Sequence, residues 1–268
     1  RRVWFGERVR PAERSGVTVA GTDLLGWLPD AHLPMATRAV VRKSVLRARR
    51  SPFIVQYALV PYFVLAMFGI QFAIQSGSIP SWLTHGMAVA GVVATGTAFA
   101  LNPIGGEEGL LPLTLTCGVD SRSFLAGLTV AGWVVGIPAT VGGTILAGFL
   151  LGIPPMTIGS IVLVASGMAL GAPGLAMFGG VVFPSIETQS LPGGSETVEP
   201  STYAFLLFAV GLGIAALPVT VAWAVGTGPV VLVLAAVGSV GLAWLFGWAG
   251  FRYTVTQLDG YVPDPDLL

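Results

Sequence analysis

Charged residues are scarce in this sequence, and six long stretches contain none at all. Asp, Glu, Lys and Arg make up 10% of the 268 residues, whereas a soluble domain normally carries about a quarter. A bilayer core of ~30 Å needs ~20 consecutive apolar residues in a helix. Each stretch is about that long or longer. The stretches are residues 52–75, 82–101, 124–151, 156–178, 203–225 and 230–251. We therefore predict an all-α, polytopic membrane protein with a six-helix transmembrane bundle.

Residues that form disulfides, bind phosphate or ligate metals are also rare. Cys117 is the only cysteine, which excludes a disulfide within this sequence. The only lysine, Lys43, lies outside any glycine-rich phosphate-binding loop, so ATP hydrolysis would require another chain or domain. His32 and His85 belong to no obvious metal-ligand set. We predict no catalytic residue, cofactor or metal in this chain, and hence no enzyme.

An intramembrane hydrolase is the enzyme class that remains as an alternative. Glu107 and Glu108 invite comparison with proteases that carry a Glu-Glu-x-x-x-Arg motif, but Pro112 stands where the arginine would be. Ser166 and Gly167 lack the surrounding glycine and the partner histidine of a rhomboid-like serine protease. Neither motif is complete.

The basic residues are strongly concentrated at the amino terminus, although the net charge is zero. Eleven of the thirteen Lys and Arg residues lie within residues 1–50, and the loops 76–81, 152–155 and 226–229 carry no charge. Cationic flanks stay on the cytoplasmic side of a membrane. We expect a multi-pass protein of the cell membrane with both termini in the cytoplasm.

The amino-terminal fifth divides into a polar cytoplasmic segment or linker, residues 1–35, and a basic interfacial helix, residues 36–50. Small and aliphatic residues recur on one face of this helix with three-and-four spacing. They are Thr37, Val40, Val41, Ser44, Val45 and Ala48. The rest of the surface is basic: Arg38, Arg42, Lys43, Arg47, Arg49 and Arg50.

We expect this helix to lie on the membrane surface, with its apolar stripe in the headgroups and its cations on anionic lipid. The alternative is a juxtamembrane basic segment that only fixes topology. No recognition motif accompanies the charge, so we do not expect a nucleic-acid partner. At the other end of the sequence, residues 252–268 are expected to form a cytoplasmic tail, which leaves residues 51–251 as the transmembrane domain.

Glycines are frequent in the predicted spans. Three glycine pairs have the four-residue spacing that lets membrane helices approach closely. They are Gly132 with Gly136, Gly148 with Gly152, and Gly167 with Gly171. We expect these pairs to serve helix packing.

The loop of residues 102–123 has the most specific pattern in the sequence. Two carboxylates, Glu107 and Glu108, open an apolar patch formed by Leu110, Leu111 and Leu113. An apolar patch on a cytoplasmic loop indicates that the loop binds a partner surface. After it, Asp120 or Ser121 can cap the next helix by accepting hydrogen bonds from its free amides. The alternative is an ordinary reverse turn between two spans.

This pattern resembles the permease subunits of type 2 ATP-binding-cassette (ABC) exporters. In that family, acidic residues, a leucine-rich short helix and a segment similar to SPVSRRRFLLGK precede the third span. The corresponding segment here is GVDSRSFLAG, residues 118–127. The resemblance extends to the preceding basic helix, the six spans, and the VFPSIE segment at residues 182–187.

The resemblance implies a membrane-spanning permease component of an ATP-driven exporter. The chain opens at Arg1 without a methionine, and we expect it to be the carboxyl-terminal half of such a permease. Its implied partners are a separate ABC ATPase subunit, which would use the ATP, and a second transmembrane half. The implied ATPase-coupling loop consists of Glu107, Glu108, Leu110, Leu111, Leu113, Asp120 and Arg122. The alternative is a membrane scaffold or assembly protein that transports nothing.

Overall fold

The computed structural model describes residues 33–50, 56–107, 119–185, 188–190 and 196–260. These residues form an all-α fold, which confirms the predicted fold class. The helices are α1 (Met35–Arg50), α2 (Gln56–Ser76), α3 (Leu83–Ala100), α4 (Ser121–Leu150), α5 (Pro155–Val182), α6 (Thr202–Ala224) and α7 (Pro229–Asp259). A 3-10 turn, Gly105–Glu107, follows α3, and a short antiparallel hairpin of β1 (Thr188–Ser190) and β2 (Glu196–Val198) follows α5.

Helices α2 to α7 are each long and apolar enough to cross a membrane. They match the six predicted spans, and by length and composition they identify a multi-pass membrane protein. Three boundaries in the described residues differ from the prediction by three residues or more. Helix α4 begins at Ser121, α5 ends at Val182, and α7 continues to Asp259, so that residues 252–259 of the predicted tail are helical. The apolar run ends at Phe251, but no helix breaker occurs before Gly260.

Helices α3 and α5 form the centre of the bundle. Helix α3 packs on α2, α4 and α5, and α5 packs on α3, α4, α6 and α7. In the most apolar part of each span, 61% of α3 and 56% of α5 is buried inside the protein, compared with 11% of α2. Helix α2 packs extensively on α3 alone. Helices α3 and α5 are therefore central, whereas α2 is peripheral.

The glycines allow the helix backbones to approach closely, as predicted. A Cβ atom on Gly136 would overlap Thr95, and one on Gly91 would overlap Thr140, so α3 and α4 interlock through two reciprocal glycine–threonine contacts. Four more glycines of the predicted pairs contact neighbouring helices in the same way. They are Gly132, Gly148, Gly167 and Gly171. Gly152 differs, because it lies in a turn with a φ of +66° and has nothing within 4 Å of a built Cβ.

The two ends of the bundle are constructed differently. At the end that carries α1, which we call the α1 end, the loops after α3 and α5 contact each other through Asn102 and Ser185. At the opposite end, short turns follow α2, α4 and α6, and each contains a glycine with positive φ. There the His85 and Trp223 rings join α3 to α6, with centroids 4.8 Å apart.

Candidate functional site

Polar side chains from four parts of the chain meet at the α1 end. They surround a cavity of about 90 Å³, whose remaining wall includes Thr97, Phe99 and Leu128. We call this group the α1-end cluster: Lys43, Arg47, Tyr57, Asn102, Glu107 and Glu199. It is the place where α1, the start of α2, and the loops after α3 and α5 come together.

Helix α1 holds the loop after α3. The Nζ of Lys43 forms an ion pair with Oε2 of Glu107, and the Arg47 guanidinium donates a hydrogen bond to the Gly106 carbonyl oxygen. Glu107 is only 7% exposed. A buried carboxylate is costly unless it is paired and hydrogen-bonded, so this contact fixes the loop against α1.

Asn102 connects the two loops at this end. Its amide Nδ2 donates to the Ser185 carbonyl oxygen at 2.9 Å, and its Oδ1 accepts from the Gly105 amide at 3.1 Å. The Gly106 amide donates to the Asn102 carbonyl oxygen at 2.9 Å. There is no room for a side chain at Gly105, because a Cβ atom there would overlap the Ser185 carbonyl oxygen.

The loop after α5 has a second attachment. The Tyr57 hydroxyl, near the start of α2, donates to Oε2 of Glu199 at 3.3 Å. Glu199 directly follows β2, so the hydrogen bond ties the end of the hairpin to α2. The loop after α5 is therefore linked both to the loop after α3 and to α2.

Asp120 caps α4, and it is one of the two capping residues that the sequence allows. Its carboxylate accepts a hydrogen bond from the Ser123 amide at 3.3 Å. A hydrogen bond from the Ser123 side chain is the main cause that holds the pKa of Asp120 below its ordinary value, and the Ser123 amide and the nearby Arg122 guanidinium act in the same direction. Asp120 and Arg122 are both exposed, so they are available to a partner at the start of α4.

The structure corrects the expected position of the α1 stripe. Thr37, Val40, Val41 and Ser44 are buried in the protein rather than in lipid headgroups. A Cβ atom on Gly127 of α4 would lie 2.5 Å from the Val40 Cβ, so the stripe packs against the first turns of α4. Sequence periodicity identified an apolar face, but it could not distinguish lipid from protein as the covering surface.

The predicted coupling residues fall into three groups. Glu107 lies inside the α1-end cluster, while Asp120 and Arg122 lie at the surface of α4. The remaining four, Glu108, Leu110, Leu111 and Leu113, lie outside the described residues.

The basic residues of α1 also divide into groups. Lys43 and Arg47 contact the loop, Arg38 is half-buried and has interactions of its own, and three arginines are exposed. These three are Arg42, Arg49 and Arg50.

Several members of the cluster could not be found from the sequence. The contacts of Glu107, Asn102 and Glu199 span 64, 83 and 142 residues of sequence, and no local pattern reports such separations. Asn102 gives a partial signal, since Asn-Pro directly after a helix is typical of a turn. Its role in joining the two loops depends on the fold.

The interactions within the cluster are ion pairs and hydrogen bonds. No group of three or more His, Cys, Asp or Glu residues that could hold a metal ion occurs in the described part of the chain.

The chain was compared with protein-family models, curated proteins and solved structures. None of them matches it.

Proposed function

We propose that this chain is the membrane-spanning permease component of an ATP-driven ABC exporter. In this role it couples a separate ATPase subunit to the movement of a substrate. The observation that carries the proposal is the anchoring of the loop after α3 at both of its ends. Glu107 is held by α1, and Asp120 caps α4. The acidic and leucine-rich segment that resembles a coupling element lies between these two anchors.

A loop anchored in this way transmits displacement instead of absorbing it. If the ATPase displaced residues 108–118, the displacement would be transmitted to three neighbouring elements. These are α1 through Glu107, α4 through Asp120, and the loop after α5 through Asn102. Because ATP binds one arrangement of the ATPase subunits better than the other, the seated loop would bias the bundle between two states.

Within this proposal, we assign Glu107 an internal role. Its carboxylate is buried and paired with Lys43, so it anchors the loop internally. Contact with the ATPase then falls to Glu108, Leu110, Leu111, Leu113, Asp120 and Arg122.

The same proposal fixes the orientation and the larger assembly. The α1 end carries the basic residues of α1, so we assign it to the cytoplasm by the positive-inside rule and expect both termini on that side. A second transmembrane half is expected to cover part of α2. That helix has a single extensive neighbour, and its exposed residues include Gln71 and Gln75, polar side chains on an otherwise apolar span.

The test is copurification of the full-length protein with candidate ABC ATPase subunits. We compare the parent with Leu111→Asp and with Ile79→Asp, which places the same charge in an exposed turn at the opposite end. Capture of an ATPase by the parent and by Ile79→Asp, with loss in Leu111→Asp, supports the proposal. Failure of the parent to bind any ATPase would overturn it and favour a scaffold role. Equal binding by all three proteins would reject the loop as the coupling site.

A further inference from the structure

The face of α1 that points away from the protein is both cationic and partly apolar. The buried stripe of Thr37, Val40, Val41 and Ser44 occupies one side of the helix. On a helix with 3.6 residues per turn, residues seven apart lie nearly in line. Met35, Arg42 and Arg49 follow this spacing on the side opposite the buried stripe. All three are exposed, and Met35 is 84% exposed.

Further residues widen this outer face. Ala39 and Arg50 are exposed beside the line, and Leu46 lies between its arginines. Arg42, Arg49 and Arg50 make no ion pair or side-chain hydrogen bond with the described residues, whereas Lys43 and Arg47 on the flank hold the loop after α3. Within the described part of the chain, the fold therefore does not use the three outer arginines.

The depth of α1 places this face at the membrane interface. Helix α1 packs on Gly127, six residues after α4 begins at Ser121, which corresponds to about 9 Å along the helix. With 30 residues, α4 is about 45 Å long and extends beyond a hydrocarbon core of ~30 Å at its ends. The contact between α1 and α4 is thus near the boundary between hydrocarbon and headgroups.

We propose that the outer face of α1 binds anionic lipid headgroups. Arg42, Arg49 and Arg50 would contact phosphate oxygens, and Met35 and Leu46 would reach the acyl boundary, as in other interfacial helices. The inner flank of the same helix holds Glu107, so a bound lipid would steady α1 against the loop. This lipid site needs no ATPase, and it can be present or absent whether or not the chain is an exporter.

The experiment titrates the purified full chain, in a neutral detergent, with short-chain phosphatidylglycerol or phosphatidylcholine, and native mass spectrometry measures the bound lipid. The variant is Arg42→Gln/Arg49→Gln/Arg50→Gln. Since each cation near an anionic surface contributes roughly 1 kcal/mol, the triple substitution should reduce the preference for phosphatidylglycerol on the order of a hundredfold. The corresponding triple lysine variant should retain the preference, because it keeps the charge.

Two controls separate this site from general attraction. Arg252→Gln removes an exposed charge on α7, a helix on which α1 does not pack extensively, so the lipid preference should be unchanged. Inorganic phosphate at millimolar concentration should not displace the lipid. A parent without preference for phosphatidylglycerol would overturn the proposal, and so would a glutamine variant that keeps it. Full displacement by phosphate would show a free-anion site instead of a lipid site, and RNA binding through the same arginines would also contradict the lipid assignment.

Discussion

The two ends of the bundle solve the problem of connecting helices in different ways. At the α1 end, the loops are fixed by side chains that reach across the sequence, such as Glu107 to Lys43 and Asn102 to Ser185. At the opposite end, short uncharged turns reverse the chain with one positive-φ glycine in each, and their side-chain hydrogen bonds are local, such as those of Ser76 with Ser78 and of Thr227 with Ala222. The comparison shows that the opposite end closes helix hairpins locally, whereas the α1 end joins segments that are far apart in the sequence, as the proposed coupling role requires.

The largest expected effect distinguishes two adjacent glycines at the α1 end. Gly105→Ala should lower the free energy of unfolding by about 3 kcal/mol, because its Cβ would overlap the Ser185 carbonyl oxygen. Gly106→Ala is the matched control, since a Cβ there meets nothing within 4 Å, and its effect should be below about 0.5 kcal/mol. Thermal unfolding in detergent measures both. Equal effects would show that the two loops are not tightly joined.

The next prediction concerns the ion pair of α1. Glu107→Ala should cost about 2 kcal/mol, as expected for a buried, charge-assisted hydrogen bond with one partly exposed partner. A double-mutant cycle with Lys43→Met should give a coupling energy of about 1 kcal/mol. Strictly additive effects of the two substitutions would contradict the anchoring of the loop by α1.

A smaller effect is expected in the turns of the opposite end. Gly152→Ala should destabilise the protein by about 1 kcal/mol, because its φ of +66° strains a residue that carries a Cβ. Gly142, inside α4 with open space around it, is the matched control. Gly142→Ala should instead stabilise the helix by up to about 1 kcal/mol. If ATPase capture were lost in Gly152→Ala, the proposed difference between the two ends would be wrong.

The smallest effect belongs to the cap of α4. Asp120→Ala should cost about 0.5 kcal/mol, because the carboxylate is exposed and accepts one amide hydrogen bond. The pKa of Asp120 is lower in the folded protein than its ordinary value of 3.8. Its contribution is therefore fully present above about pH 4, and it is lost as the pH falls through the folded pKa. Unfolding of the parent and of Asp120→Ala, compared between pH 3 and pH 7, should show the difference shrinking at the acidic end.

Hydropathy was sufficient to predict the six spans, because membrane length and absence of charge are local properties. A cap at Asp120 or Ser121 was predictable for the same reason, since Asp or Ser at the start of a helix is a local signal, but the choice between the two required the structure. The extent of α7 was missed because an apolar run ended at Phe251 while the helix continued to Asp259. The burial of the α1 stripe against Gly127, and the pairing of Lys43 with Glu107, depend on which helices become neighbours. No spacing in the sequence contains that information.

Nucleotide-dependent accessibility tests the central claim most directly. Single cysteines replace Thr97, which lines the cavity of the α1-end cluster, and His85, which contacts Trp223 at the opposite end, in a Cys117→Ser background. The full-length protein, with its ATPase bound, is reacted with a membrane-impermeant maleimide, with and without ATP. We predict that ATP changes the two rates in opposite directions, with the cysteine at position 97 becoming less reactive and that at position 85 more reactive. Rates that ignore ATP while the ATPase stays bound would contradict the account and identify the chain as a static membrane partner.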